Sequence, residues 1–277
     1  MSEILFRLLL FIALFGAVAL LEARWPRRLR RQPRRRRWAI NAGLLLVDVV
    51  AQRLTLGAAA FLMAGYAQSH GWGLFRLVEM PGWFTALLGF VLLDLAIYFQ
   101  HVLFHAVPLL WRLHRIHHTD LELDLSSGFR FHPFEILLSL LYKVAVVAAL
   151  GISPWVVLAF EATLSGAALF THANLRLPAV VDGQLRRLLV TPDMHRVHHS
   201  VIAQETNSNF GFFLACWDRL FGTYRAQPEA GHRAMTIGLA DYRQPSRLGL
   251  ARLLWLPFES SPQASDQPRS DAGRGAS

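Results

Sequence analysis

Five apolar runs constrain this chain more than any other feature. They cover residues 4–21, 38–63, 82–100, 134–150 and 154–170. An apolar stretch of nearly 20 residues either spans a bilayer or needs a large core to hide in. A chain of 277 residues with 53% hydrophobic and only 17% charged residues points to the first outcome, because soluble domains carry nearer a quarter charged. The expected fold class is therefore all-α, an integral membrane helical bundle. Gly151-Ile152-Ser153-Pro154 reads as a tight turn joining the last two runs into a hairpin. Residues 65–80 read as a loop, and the Ser-, Pro- and Arg-rich stretch from about Glu259 onward as a disordered tail. The first run has a possible signal cleavage site at Ala17-Val18-Ala19, but its start is not basic and more runs follow, so a retained anchor is expected.

Net charge is +9, and nine arginines fall between Arg24 and Arg37, between two apolar runs. That placement favours a cytoplasmic, lipid-facing loop over a nucleic-acid site. With the arginines inside, successive runs bring residues 101–118 and everything after 172 to the same cytoplasmic side. The single cysteine, Cys216, cannot form an internal disulfide.

Nine of the 12 histidines fall in four places on that side: His101 and His105; His114, His117 and His118; His172; and His195, His198 and His199. Two of these are H-x-x-H-H triples, a pattern that chance supplies about 0.02 times in such a chain. On a helix the three positions fall within an arc of about 100°, so each triple can aim its imidazoles at one place. Imidazole suits iron, zinc, copper and nickel. Nine imidazoles exceed the needs of one ion, so the expected cap is a histidine-rich di-metal centre. His132, in Arg130-Phe131-His132-Pro133, is a further candidate ligand, supporting donor or helix-start residue. His70 and His232 read as ordinary polar-segment histidines.

Acidic residues fit a supporting role. Asp94, Tyr98, His101 and His105 form one helical stripe, and Glu161, Ser165, Ala168 and His172 repeat its spacing. A ligating histidine commonly donates its second N–H to a carboxylate. The other reading of Glu161 is a structural pair with Lys143 or Arg53. Asn174, two residues after His172, is a candidate of the same kind.

The segments HVLFH (101–105), LWRLHRIHH (110–118), RFHP (130–133), THAN (171–174), TPDMHRVHH (191–199) and WDRLFGTY (217–224) resemble the fatty acid hydroxylase and sterol desaturase superfamily in order, spacing and box type. The resemblance covers roughly residues 90–225. It implies a membrane oxygenase with two iron ions, O2 as co-substrate, a lipid substrate and a separate electron-donor protein. It implies metal roles for His101, His105, His114, His117, His118, His195, His198 and His199, and His172 matches a less regular histidine position. Some members carry a second histidine four residues later, where this chain has Arg176. The implied organisation is N-terminal anchor helices and basic loop over 1–80, a catalytic domain over 81–225, and a C-terminal segment over 226–277. Rival readings are a hydrolytic zinc enzyme, a haem-binding electron carrier and a non-catalytic metal-binding membrane protein. Sterol, fatty acyl, sphingoid, carotenoid and ether lipid substrates all fit the motifs, as do hydroxylation and desaturation.

Overall fold

The computed structural model describes residues 3–259, so the expected disordered tail lies almost wholly outside the described residues. Among these residues the chain is helical, with only isolated β-bridges. The first run forms α1 (Glu3–Arg24) and the second starts within the arginine block as α2 (Arg34–Thr55). Then come α3 (Ala59–Ser69), α4 (Gly82–Ala106), α5 (Pro108–His118), α6 (Pro133–Leu150) and α7 (Pro154–His172). Beyond His172 the helices are short, including α8 (Ala179–Leu185) and α9 (Pro192–His198). Among the described residues, four segments are long and apolar enough to cross a membrane: Arg34–Arg76, Gly82–Ala106, Pro133–Leu150 and Pro154–His172.

The second run is not one helix. Gly57 adopts φ +53°, and the Leu56 and Gly57 amides both donate to Gln52 O, closing α2. The chain then resumes as α3, which takes up the first part of the expected loop. On α3, Ala60, Ala64 and Ala67 are fully buried. Their spacing puts small side chains on one face and lets the helix approach α6 and α7 closely. Gly151, at φ +72°, makes the hairpin turn, and the backbone of Gly73 packs directly on it.

The core joins α3, α4, α6 and α7 through Leu93, Ile97, Leu140, Val147, Val157 and Phe160. Large apolar side chains such as Leu54, Leu62 and Leu87 point outward, as lipid-facing residues do. Trp83 and Trp155 stand exposed at the starts of α4 and α7, while both helices carry histidines at their other ends. An aromatic belt on one side and a histidine layer on the other follow from that polarity.

The arginine block differs from the expected lipid-facing loop, because much of it is clamped onto the protein. Buried Arg37 pairs with Asp120 at 2.8 Å and with Asp124 at 2.5 Å. Arg27 bonds Asp193 at 3.0 Å, Arg28 donates to the His232 and Met235 carbonyls, and Arg30 pairs with Glu22. Glu22, fully buried near the end of α1, also accepts from the Leu125 and Asn174 amides. The segment therefore ties α1 and α2 to the histidine layer. Residues 226–259 also fold back, with Leu248, Leu253 and Leu256 packing beside Leu44 and Ile116.

Candidate metal centre

Proline starts each of the two helices that carry an H-x-x-H-H triple, where its missing N–H leaves no bond unmade: Pro108 in α5 and Pro192 in α9. Thr191 caps α9 by accepting from the Met194 amide. These starts fix the phase at which the boxes reach the ends of α4 and α7.

The nine histidines of the boxes converge into two adjoining groups. One group is His101, His105, His114, His118 and His198; the other is His117, His172, His195 and His199. Within each group the nitrogens on offer all lie within 4.8 Å of one another. All are buried except His105, which is partly exposed. The groups share walls: the His199 ring centroid lies 4.6 Å from those of both His117 and His118.

Each H-x-x-H-H triple therefore divides between two places, unlike the single convergence expected of it. His114 and His118 go to one group and His117 to the other; His195 and His199 go to the second group and His198 to the first. The reason is angular. Positions i and i+4 differ by about 40° around a helix, while i+3 lies about 60° to the other side of i. The i, i+4 pair stays together and the i+3 ring reaches the neighbouring site. Two facing helices with this pattern complete two adjacent sites.

In the first group every ring presents Nε2, and all five Nε2 atoms lack a protein partner. Four of the opposite nitrogens meet acceptors. His101 Nδ1 bonds Phe210 O at 2.8 Å, His105 Nδ1 bonds Asn207 Oδ1 at 3.2 Å, His114 Nδ1 bonds Glu135 Oε1 at 2.6 Å and His198 Nδ1 bonds Ser208 O at 2.8 Å. A carbonyl or carboxylate oxygen can only accept from the ring, so each Nδ1 carries the proton and each Nε2 keeps its lone pair.

In the second group His172 Nδ1 donates to Ala168 O, and Nε2 atoms meet one another. His172 Nε2 lies 3.0 Å from those of His117 and His195, and His199 Nε2 lies 3.2 Å from that of His195. Imidazoles bound to one transition-metal ion at about 2.1 Å have nitrogens roughly 3.0–3.4 Å apart. The spacing and the orphaned lone pairs fit two metal ions. Burial, then repulsion among the rings, holds His117, His118, His195, His198 and His199 well below the ordinary imidazole pKa, and burial takes His114 down to about 3. Neutral imidazole is the form that ligates.

Four other candidates stand outside both groups. Asp94 Oδ2 accepts from the Leu214 amide and from Trp217 Nε1 at 2.8 Å. Glu161 bonds Lys143 at 2.6 Å. His132 caps α6 through the Phe134 amide, and its Nε2 meets Leu254 O. The Asn174 side chain brackets the Arg28 backbone, accepting from its amide and donating to its carbonyl. His232 is buried beside Asp193, and His70 bonds Ser69 and Tyr66.

The groups that do bond the rings are Glu135, Asn207, and the Ala168, Ser208 and Phe210 carbonyls. Only Glu135 had a usable signal, a carboxylate in the first turn of a spanning run directly after His132-Pro133. Asp218, within WDRLFGTY, supports this layer by accepting from the Phe210 and Gly211 amides and from Thr223. It thereby fixes the carbonyl that orients His101.

A cavity of about 330 Å³ opens between the spanning helices beneath both groups, touching His101, His114, His117 and His195. Phe11, Phe104, Phe129, Phe131 and Phe212 give it a mainly apolar lining. Phe131 stacks on His117 at 4.6 Å and 7°. A buried, imidazole-rich wall facing an apolar chamber suits chemistry on an aliphatic chain.

The fatty acid hydroxylase family model matches residues 86–223, a span that contains all nine converging histidines. An ornithine lipid hydroxylase of Rhizobium tropici is 33% identical over 150 residues, covering 54% of this chain and 44% of that protein. Human alkylglycerol monooxygenase is 26% identical over 198 residues, covering 69% of this chain and 42% of that protein. Rat cholesterol 25-hydroxylase is 27% identical over 146 residues, covering 52% and 48% respectively. The chain thus spans less than half the length of these relatives. No solved structure matches it. With its boxes folded into two groups and its middle half matched throughout, the chain belongs to the fatty acid hydroxylase family.

Proposed function

We propose that this chain is a membrane-bound oxidoreductase that uses O2 to hydroxylate or desaturate a lipid, with two iron ions held by the nine histidines. The observation that carries the reading is two adjoining sets of neutral imidazoles opening onto one apolar cavity between spanning helices. Iron bound there would supply the O2 activation that attack on an unactivated C–H bond requires, which no side chain provides. The protein's own work is positional. Glu135, Asn207 and the carbonyls of Ser208 and Phe210 hold four rings in the ligating tautomer. The phenylalanines keep water from the reacting chain, and the spanning helices present the site to a substrate already dissolved in the bilayer.

The matched relatives bear the names of a lipid hydroxylase, an alkylglycerol monooxygenase and a sterol hydroxylase, and their common element is oxidation of a lipid. Reducing equivalents come in this reading from a separate donor protein on the cytoplasmic side, where the histidine layer lies. The test is elemental analysis of purified protein, followed by lipid turnover with O2 and a reductant. Two irons per chain and oxygen-dependent product are expected. One zinc per chain with hydrolytic turnover, or metal with no turnover, would replace the reading with a hydrolytic or non-catalytic one.

A further inference from the structure

The cavity walls carry two carboxyl groups that the metal-holding role leaves with an oxygen to spare. Asp48, on α2, is 5% exposed, and its Oδ1 has no protein partner. Glu135, on α6, is 4% exposed; Oε1 takes His114, and Oε2 has no protein partner. Both residues line the cavity. The cationic side chain in the same wall, Lys143, is bonded to Glu161 at 2.6 Å. A carboxyl within a spanning helix is costly and is kept for a partner.

Asp48 also sits at a defined depth. Asn41, two turns earlier on α2, donates to Ser126 and accepts from Arg130, whose guanidinium also bonds Ile116 O beside His117. Seven residues of helix place Asp48 on the order of 10 Å from that level along α2. Leu45, Val49 and Gln52 line the cavity from the same face.

We infer that Asp48 is the receptor for a hydrogen-bond-donating group on the substrate, so that the substrate is a lipid bearing an uncharged hydroxyl some distance from the carbon presented to the histidines. The inference rests on the lipid-oxidising reading of this cavity. A plain hydrocarbon leaves buried acceptors unmet, which costs more than the bond itself is worth. A fatty carboxylate, once ionised, has no proton to donate to either oxygen. A hydroxyl donates to Asp48 Oδ1 and adds no charge. An ammonium also donates, but it would enter a wall that already holds Lys143.

The experiment measures binding rather than turnover. Tritiated hexadecanol, hexadecane, palmitate and hexadecylamine are bound to purified full-length protein in nanodiscs, with Asp48→Leu and Asp48→Asn beside the parent. The parent should prefer hexadecanol at least ten-fold over hexadecane and palmitate. Asp48→Leu should lose that preference with iron content and melting temperature unchanged. Asp48→Asn keeps one acceptor oxygen but puts an amide NH2 in place of the other, and should retain a preference reduced about three-fold. An equal preference in parent and both variants overturns the inference, as does tighter binding of hexadecylamine. Should the leucine variant not fold, the asparagine variant still decides. Absence of iron or of lipid oxidation with the hydroxyl preference intact would sink the enzymatic reading and leave the receptor standing.

Discussion

At the scale of single residues, the ring contacts separate side chains that a helical stripe had put on equal footing. Glu135 touches His114, whereas Asp94 holds the Leu214 amide and the Trp217 indole. Glu135→Gln should therefore lower metal affinity about 10- to 100-fold, the usual effect of removing a carboxylate behind a ligating histidine. Asp94→Asn keeps an acceptor oxygen and should leave metal content near that of the parent; elemental analysis of the two proteins checks both. Because each box feeds both groups, His117→Ala and His198→Ala strike different sites, yet either should abolish activity. The double variant should be hardly worse than each single one, since residues acting as a unit are not additive. Substantial activity in His198→Ala alone would show that the second box is dispensable. Acid acts on the same rings. The six box histidines outside the spanning segments have folded pKa values below the ordinary 6.5. Their neutral state stabilises the fold fully above that pH, and the stabilisation is lost progressively as pH falls from 6.5 through the depressed folded values. Metal release and unfolding, followed by metal assay and circular dichroism, should both steepen below pH 6.5 beyond a one-proton dependence. The ring positions were legible because their spacing is local. The Phe210 carbonyl was not, because the loop after α9 reaches the rings only through tertiary packing; Glu135 carried a signal in its place after His132-Pro133, but not the identity of its partner ring.

At the scale of elements, all five apolar runs became helix, and the hairpin turn falls at Gly151 as its sequence announces. The break in the second run was missed, although Gly57 marks it, because hydropathy averages over a residue whose only message is a positive φ. Gly57 and Gly151 should respond differently to a side chain. A Cβ on Gly57 meets nothing within 4 Å, so Gly57→Ala should cost about 1 kcal/mol from φ alone. A Cβ on Gly151 would lie 2.5 Å from Trp72 O and 3.2 Å from Gly73 Cα. Gly151→Ala should therefore be the more damaging, and Gly151→Val more so, read as melting temperature in detergent. Equal loss at the two positions would mean that the Gly73–Gly151 packing contributes nothing. The Glu161 stripe, read as a support for His172, has a different use: Ser165 and Ala168 line the cavity, and Glu161 ends in the Lys143 pair. Spacing gave the shared face but not what that face looks onto.

At the scale of the whole molecule, the arginine block and the histidine layer are bound to each other, which ties topology to chemistry. Pro26 bridges Leu175, Arg27 N donates to Asn174 O, and Arg27 pairs with Asp193 in α9. The loop over residues 24–37 therefore lies on the same side of the membrane as the histidines, however the bundle is oriented. Charge then predicts the orientation, since a block of nine arginines beside spanning helices is expected to stay in the cytoplasm. Clamping of Arg27, Arg28, Arg30 and Arg37 does not remove that bias, because insertion acts on the charges before the fold exists. Arg31 and Ala203 are both exposed, one in the block and one just past the second box. In a Cys216→Ser background, cysteines placed singly at these positions should both resist a membrane-impermeant thiol reagent in intact cells and both react after lysis. A cysteine at Trp72, exposed at the opposite end of the bundle near the start of α4, should label in intact cells. Labelling of Arg31 and Ala203 with protection of Trp72 would invert the molecule and place electron delivery on the other face. Labelling of only one of the first two would break the link between loop and boxes that the Arg27 contacts describe.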